Sequence, residues 1–230
     1  MKTLLDWFKK YWSYISPVHL ESIQGLENQT LSVYLSNGRY QLTTENAIYS
    51  YDDLYDNFSL AFEKLDWKQL PEKSHVLVLG LGLGSIPYML EKTFKKKFSY
   101  TAIEFDESVI FLASKYTIPR MKSSIQIICR DAASHVMEDE DEYDIICIDV
   151  FLDDVIPDSI SEIKFLLNIK CLLSPDGIVI FNRLNRERDE KNHIQKYIDQ
   201  VFSSVFPDYG SIQVEGNCML FSDKSKLANT

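Results

Sequence analysis

Three glycines stand on alternate positions, Gly80, Gly82 and Gly84, directly after the apolar run His75-Val76-Leu77-Val78-Leu79. Glycine lets the chain turn sharply there and leaves no side chain between peptide N–H groups and a ligand. Ser85 is placed to cap a following helix, and Pro87 suits the first turn because it has no N–H to waste. Roughly twenty residues past the loop, Thr101-Ala102-Ile103-Glu104 closes a second apolar run with a carboxylate. An acid so placed can accept both hydroxyls of a ribose. A glycine loop alone is also a plain βα turn. Strand, glycine loop, capped helix, strand and terminal acid together point to an adenosine-bearing cofactor.

Two further acids end strand-like runs. Asp131 follows Ile125-Gln126-Ile127-Ile128-Cys129, and Asp149 follows Tyr143-Asp144-Ile145-Ile146-Cys147-Ile148. A carboxylate in such a place can stabilise positive charge or take a proton from a reacting group. The bland reading of Asp149 is a helix-capping acid, and Asp153 and Asp154 are equally ordinary ahead of a helix. Tyr49 can cover a cofactor or fill a core. Asn182, ending another apolar run, can face an acceptor. None of the four histidines is paired with a nucleophile or with metal-spaced ligands, so nucleophilic and metal chemistry find no support. No metal site is expected.

These residues need elements to carry them. Leu4 to Ile15 has apolar residues at helical spacing. Leu31-Ser32-Val33-Tyr34-Leu35, Asn37-Gly38 and Tyr40-Gln41-Leu42-Thr43 read as a β-hairpin, with Ala47 to Tyr51 as a third strand and a helix over 53–65. Residues 1–70 therefore read as a small β-rich appendage with an N-terminal helix. Residues 71–230 read as a nucleotide-binding domain in which strands alternate with helices. Its helices are expected over 108–116, 133–137, 159–172 and 192–205, with Pro175-Asp176-Gly177 as a turn. Strands 211–214 and 218–221 close the chain as an antiparallel hairpin. That pattern is a doubly wound α/β sheet, whose ligands bind beyond the carboxyl ends of the strands where strands one and four diverge. Glu104, Asp131 and Asp149 all fall at those ends.

The bulk numbers agree with one sizeable globular unit. The chain has 230 residues, 45% of them hydrophobic and 25% charged, the balance of a folded protein with a substantial core. A net charge of −10 argues against a large nucleic-acid footprint, which needs cations in quantity. No apolar run reaches the length of a membrane span. The N-terminal stretch, with Asp6 inside it, lacks a secretory cleavage pattern. Cys129, Cys147, Cys171 and Cys218 are scattered; Cys129 and Cys147 read as reduced core residues. A cytoplasmic protein without membrane or nucleic-acid partners is expected. The apolar N-terminal helix leaves a homodimer open.

The same residues resemble a known family. Gly80-Leu81-Gly82-Leu83-Gly84, Ile103-Glu104-Phe105-Asp106, Arg130-Asp131-Ala132, the segment Asp149 to Pro157 and Leu173-Ser174-Pro175-Asp176-Gly177 look like the class I fold of S-adenosylmethionine-dependent methyltransferases. Within it the chain is most similar to spermidine synthases and spermidine-synthase-like proteins. The resemblance implies a Rossmann-like seven-stranded sheet and S-adenosylmethionine, or its decarboxylated form, as cofactor. It implies that Glu104 holds the ribose, that Asp131 with Ala132 meets the adenine, and that the glycine loop lies under the methionine-derived part. Asp149 and Asp153 would then stand on the acceptor side, with Tyr49 over the cofactor. The sequence departs from aminopropyl-transferring members at three points. Leu83 replaces an aspartate of the glycine loop, Ser50 replaces the histidine of a Tyr-His pair, and Asp153 lies one place beyond the second gate acid. Methyl transfer to a small molecule, an amine among the candidates, is therefore the first expectation. Aminopropyl transfer is the second, and a non-catalytic nucleoside-binding relative the third.

Overall fold

A computed structural model describes residues 4–26, 29–45, 47–152, 155–186 and 188–228. A helix, α1 (Leu4–Trp12), precedes an antiparallel sheet of four strands in the order β1 (Val18–Gln24), β2 (Thr30–Ser36), β3 (Arg39–Thr43) and β4 (Ile48–Ser50). Asn37 and Gly38, both at positive φ, form the expected tight turn between β2 and β3. The strand β1 is an addition to the sequence reading. A register shift between His19 and Glu21 interrupts the alternation by which a strand is recognised.

The larger sheet has seven strands: β5 (His75–Leu79), β6 (Ser99–Glu104), β7 (Ile125–Cys129), β8 (Tyr143–Ile148), β9 (Leu173–Leu184), β10 (Gly210–Val214) and β11 (Asn217–Phe221). Their order is β10-β11-β9-β8-β5-β6-β7, with the first five in sequence parallel and the last hairpin antiparallel. This is the expected Rossmann-like α/β fold with its N-terminal β-rich sheet. Sequence order reverses between β5 and β8, the switch point where such sheets bind ligands. Val76 to Leu79 and Ile145 to Ile148 are wholly buried, as central parallel strands covered on both faces must be.

The helices are α2 (Asp56–Glu63), α3 (Ser85–Lys92), α4 (Glu107–Tyr116), α5 (Ala132–Glu138), α6 (Asp158–Ser161), α7 (Ile163–Leu172), α8 (Arg188–Tyr197) and α9 (Ser203–Val205). One sheet face packs Leu77, Leu79, Ile146, Ile148 and Phe181 under α5, α7 and α8; the other packs Val76, Val78, Ile145 and Ile180 under α2 and α3. Two single helices of the sequence reading are interrupted. Glu162 is extended and separates α6 from α7, and Ile198–Phe202 is a π-helical segment between α8 and α9. Pro175-Asp176-Gly177 lies inside β9 and not in a turn between elements. Tyr143 pairs with Leu173 but Ile145 pairs with Ile178, so the proline and glycine are absorbed as a bulge. Cys147 is buried, whereas Cys129 is exposed at the end of the edge strand β7, so it is not the core residue expected.

The small sheet is fastened to the large domain beside the glycine loop. Leu31, Val33 and Leu42 pack with Leu83, Val109 and Leu112. Asp52, buried and at φ 44°, receives the Arg120 guanidinium through both oxygens at 2.5 and 2.9 Å. That guanidinium lies between the rings of Tyr40 and Tyr88, 4.6 and 4.3 Å from their centroids. No helix among the described residues is long and apolar enough to cross a membrane.

Candidate functional site

The loop after β5 runs through Gly80, Gly82 and Gly84 at φ +87°, +54° and +91°, conformations that side chains other than glycine's rarely adopt. The three serve different ends. A Cβ on Gly80 would lie 2.1 Å from the Asp149 carbonyl oxygen, so the first glycine lets β8 close against β5. A Cβ on Gly82 would come within 3.1 Å of the Tyr49 carbonyl, where β4 passes over the loop. Gly84 is the N-cap residue of α3, and no side chain caps that helix. Ser85 is therefore not the cap that its type suggested. Its hydroxyl instead bonds the Ser50 hydroxyl at 2.6 Å and accepts from the Tyr51 N–H at 2.9 Å, tying the small sheet to the loop.

Glu104, the last residue of β6, turns its carboxylate toward this loop. One oxygen accepts the N–H groups of Leu81 and Gly82 at 3.1 and 3.2 Å. The other accepts those of Phe105 and Asp106 at 2.8 and 3.1 Å. Burial raises its proton affinity, and the four N–H donors oppose that by favouring the charged form. Asp106 is held in turn, accepting from Leu26 N–H at 2.9 Å and Ser108 N–H at 2.7 Å. The β1–β2 connection thus braces the loop that follows Glu104.

Asp149 stands directly beyond β8, and its own N–H bonds the Leu79 carbonyl. Its carboxylate accepts from Asn182 Nδ2 at 2.8 Å and from the Tyr55 hydroxyl at 3.3 Å. Asn182 lies on β9, wholly buried, and is oriented by Asn217 of β11, which donates to its oxygen at 2.8 Å. Burial pushes the Asp149 carboxyl up to about 6; the hydrogen bonds from Asn182 and Tyr55 restrain the rise, and the charge of Glu104 adds to it. Tyr55, just ahead of α2, was not singled out from the sequence. Its partner lies 94 residues away, so no local spacing announces the pair. Asn217 was missed for the same reason.

The remaining candidates are placed less centrally. Asp131 is exposed and caps α5, its carboxylate accepting from both N–H and hydroxyl of Ser134 at 2.8 Å. Ala132 is buried beside it. Tyr49 contributes its carbonyl near Gly82, while its hydroxyl donates to Gln29 at 3.3 Å. Asp153 and Asp154 lie outside the described residues. The structure thus brings Gly80, Gly82, Glu104 and Asp149 together at the ends of β5, β6 and β8, and leaves Asp131 on the rim.

Residues 63–222 match the spermine/spermidine synthase domain. The chain belongs to that family. A probable polyamine aminopropyl transferase of Bifidobacterium longum is 28% identical over 130 residues, 56% of this chain and 28% of that protein. The chain thus spans little more than a quarter of that relative's length. The crystal structure of human methyltransferase-like protein 13 in complex with SAH is similar at 26% identity and TM-score 0.56, over 68% of this chain and 75% of that one. A probable spermidine synthase from Corynebacterium glutamicum shares the fold, with TM-score 0.71 at 16% identity over 87% of this chain and 78% of that one.

Proposed function

We propose that this protein is a transferase that binds S-adenosylmethionine, or its decarboxylated form, and passes an alkyl group to a small-molecule acceptor. The donor set fits such a cofactor. A half-buried carboxylate at the end of β6, held against the bare-backbone loop, suits a ribose diol, and a second carboxylate across the loop suits a cation. When bound, the sulfonium supplies a leaving group already activated by its charge. The observation that carries the reading is Asp149, a carboxylate raised to about 6 and aimed by Asn182 and Tyr55 at the switch point of the sheet. Above that pH it is ionised. It can then favour a cationic centre and take the proton that an attacking amine or hydroxyl must lose. Asn182 and Tyr55 hold the accepting oxygen in one place, which is what positional catalysis asks of the protein. Asp131 and Ala132 would border the adenine, and Tyr49 would close the loop from above.

Methyl transfer is favoured over aminopropyl transfer by the position of Leu83. It is 0% exposed and packed among Leu31, Val33, Leu42, Val109 and Leu112, so no acid faces the acceptor from that place. Ser50 is likewise buried and committed to Ser85. The test is calorimetry with S-adenosylmethionine, S-adenosylhomocysteine and decarboxylated S-adenosylmethionine. Tighter binding of the first two is expected. A preference for the decarboxylated form moves the assignment to aminopropyl transfer.

A further inference from the structure

The same rim of the sheet carries a cation, Arg183, for which the described residues offer no acid. Arg183 is the penultimate residue of β9 and follows Asn182 directly, so its side chain leaves the sheet on the opposite face. Its guanidinium donates to the Ser161 hydroxyl at 2.9 Å, at the end of α6. It rests over the rings of Tyr197 and Phe181, 4.0 and 5.1 Å from their centroids. Among the described residues no carboxylate pairs with it. The Tyr197 hydroxyl is also buried and has no hydrogen-bond partner among the described residues. Val150 and Ile156, from the segment that leaves Asp149, pack on the same cluster as Phe181 and Tyr197.

A half-buried guanidinium without a carboxylate is costly, and the aromatic faces offset only part of that cost. Its planar fork matches the two oxygens of a carboxylate or phosphate. An orphaned phenolic O–H and a serine hydroxyl beside it are the further donors an oxyanion wants. We propose that Arg183, Ser161 and Tyr197 form a subsite for an anionic group, so that the acceptor carries a carboxylate or phosphate and is not a polycation. The inference rests on the transferase reading for the word acceptor, and on the Arg183 geometry for the anion.

The experiment separates the two. S-adenosylhomocysteine is titrated first into the full chain and into Arg183→Gln; equal affinity in both isolates the cofactor site from the subsite. Inorganic phosphate and acetate are then titrated separately, followed through the Nε–H resonance of Arg183 and through other amides. That resonance should move with one or both anions, and phosphate or acetate affinity should fall about tenfold or more in Arg183→Gln, the loss expected for one charged hydrogen-bond pair. Whichever anion binds more tightly identifies the acceptor's group. In the absence of anion Arg183→Met should melt above the wild type, because it removes an unmatched charge. Anion affinity unchanged by the substitution, or no response of Arg183 at millimolar anion, overturns the subsite while leaving cofactor binding intact. Failure of cofactor binding in the wild type overturns the transferase reading instead.

Discussion

Replacing Asp149 by Asn should make the protein more stable and inactive at once. The carboxyl rises from 3.8 to about 6 on folding, chiefly through burial. Between those values the native state binds the proton more tightly than the unfolded chain, so stability falls as pH rises across the window. At about 1.4 kcal/mol per tenfold change in proton affinity, the ionised carboxylate costs ~3 kcal/mol above pH 6. Asn keeps an oxygen for Asn182 and Tyr55 and removes the charge. Urea unfolding near pH 7.5 should therefore show the variant up to ~3 kcal/mol more stable, a rise in Tm of about 6–12 °C for a chain of this size. Near pH 4, where the wild-type carboxyl is protonated when folded, the gain should vanish. Transfer should drop about 10²–10⁴-fold if Asp149 takes the proton. A variant less stable than wild type near pH 7.5, or a gain independent of pH, refutes the assignment of a partly buried, desolvated charge to this position.

The other predictions test neighbouring parts of the site. Tyr55→Phe removes a hydrogen bond that favours the ionised form, so the rising limb of the pH–rate profile, expected near 6, should move to higher pH. Gly80→Ala places a methyl 2.1 Å from the Asp149 carbonyl at φ +87° and should lower stability by at least ~3 kcal/mol in chemical denaturation. Leu83→Asp puts an unpaired carboxylate into an apolar cluster and should cost on the order of 3–5 kcal/mol, with no gain of aminopropyl transfer to a diamine.

The fold was legible because central parallel strands write continuous apolar runs, and glycines and acids mark their ends. Glu104 and Asp149 were found because the residue that ends a strand, or directly follows it, must lie at the rim of such a sheet. What escaped depends on contacts between distant parts of the chain. Tyr55 sits in an irregular stretch ahead of α2, and its partner Asp149 lies 94 residues further along the chain. The β1 strand was hidden by its bulge. Pro175 and Gly177 carry turn chemistry that a bulge uses equally well, and Ser85 has the type of a cap but is held by β4. Nothing in the sequence sets Arg183 apart, since neither the two rings beneath it nor the lack of an acid partner among the described residues is a local property.

The central claim is that Glu104 and the glycine loop cradle an adenosine bearing a sulfonium. Calorimetry with S-adenosylmethionine on the wild type and on Glu104→Ala tests it most directly. The account predicts a saturable heat in the wild type and a loss of about 1–3 kcal/mol of binding in the variant, from the charged hydrogen bonds removed. Absence of binding at millimolar concentration for both S-adenosylmethionine and its decarboxylated form, or undiminished affinity in the variant, would contradict it.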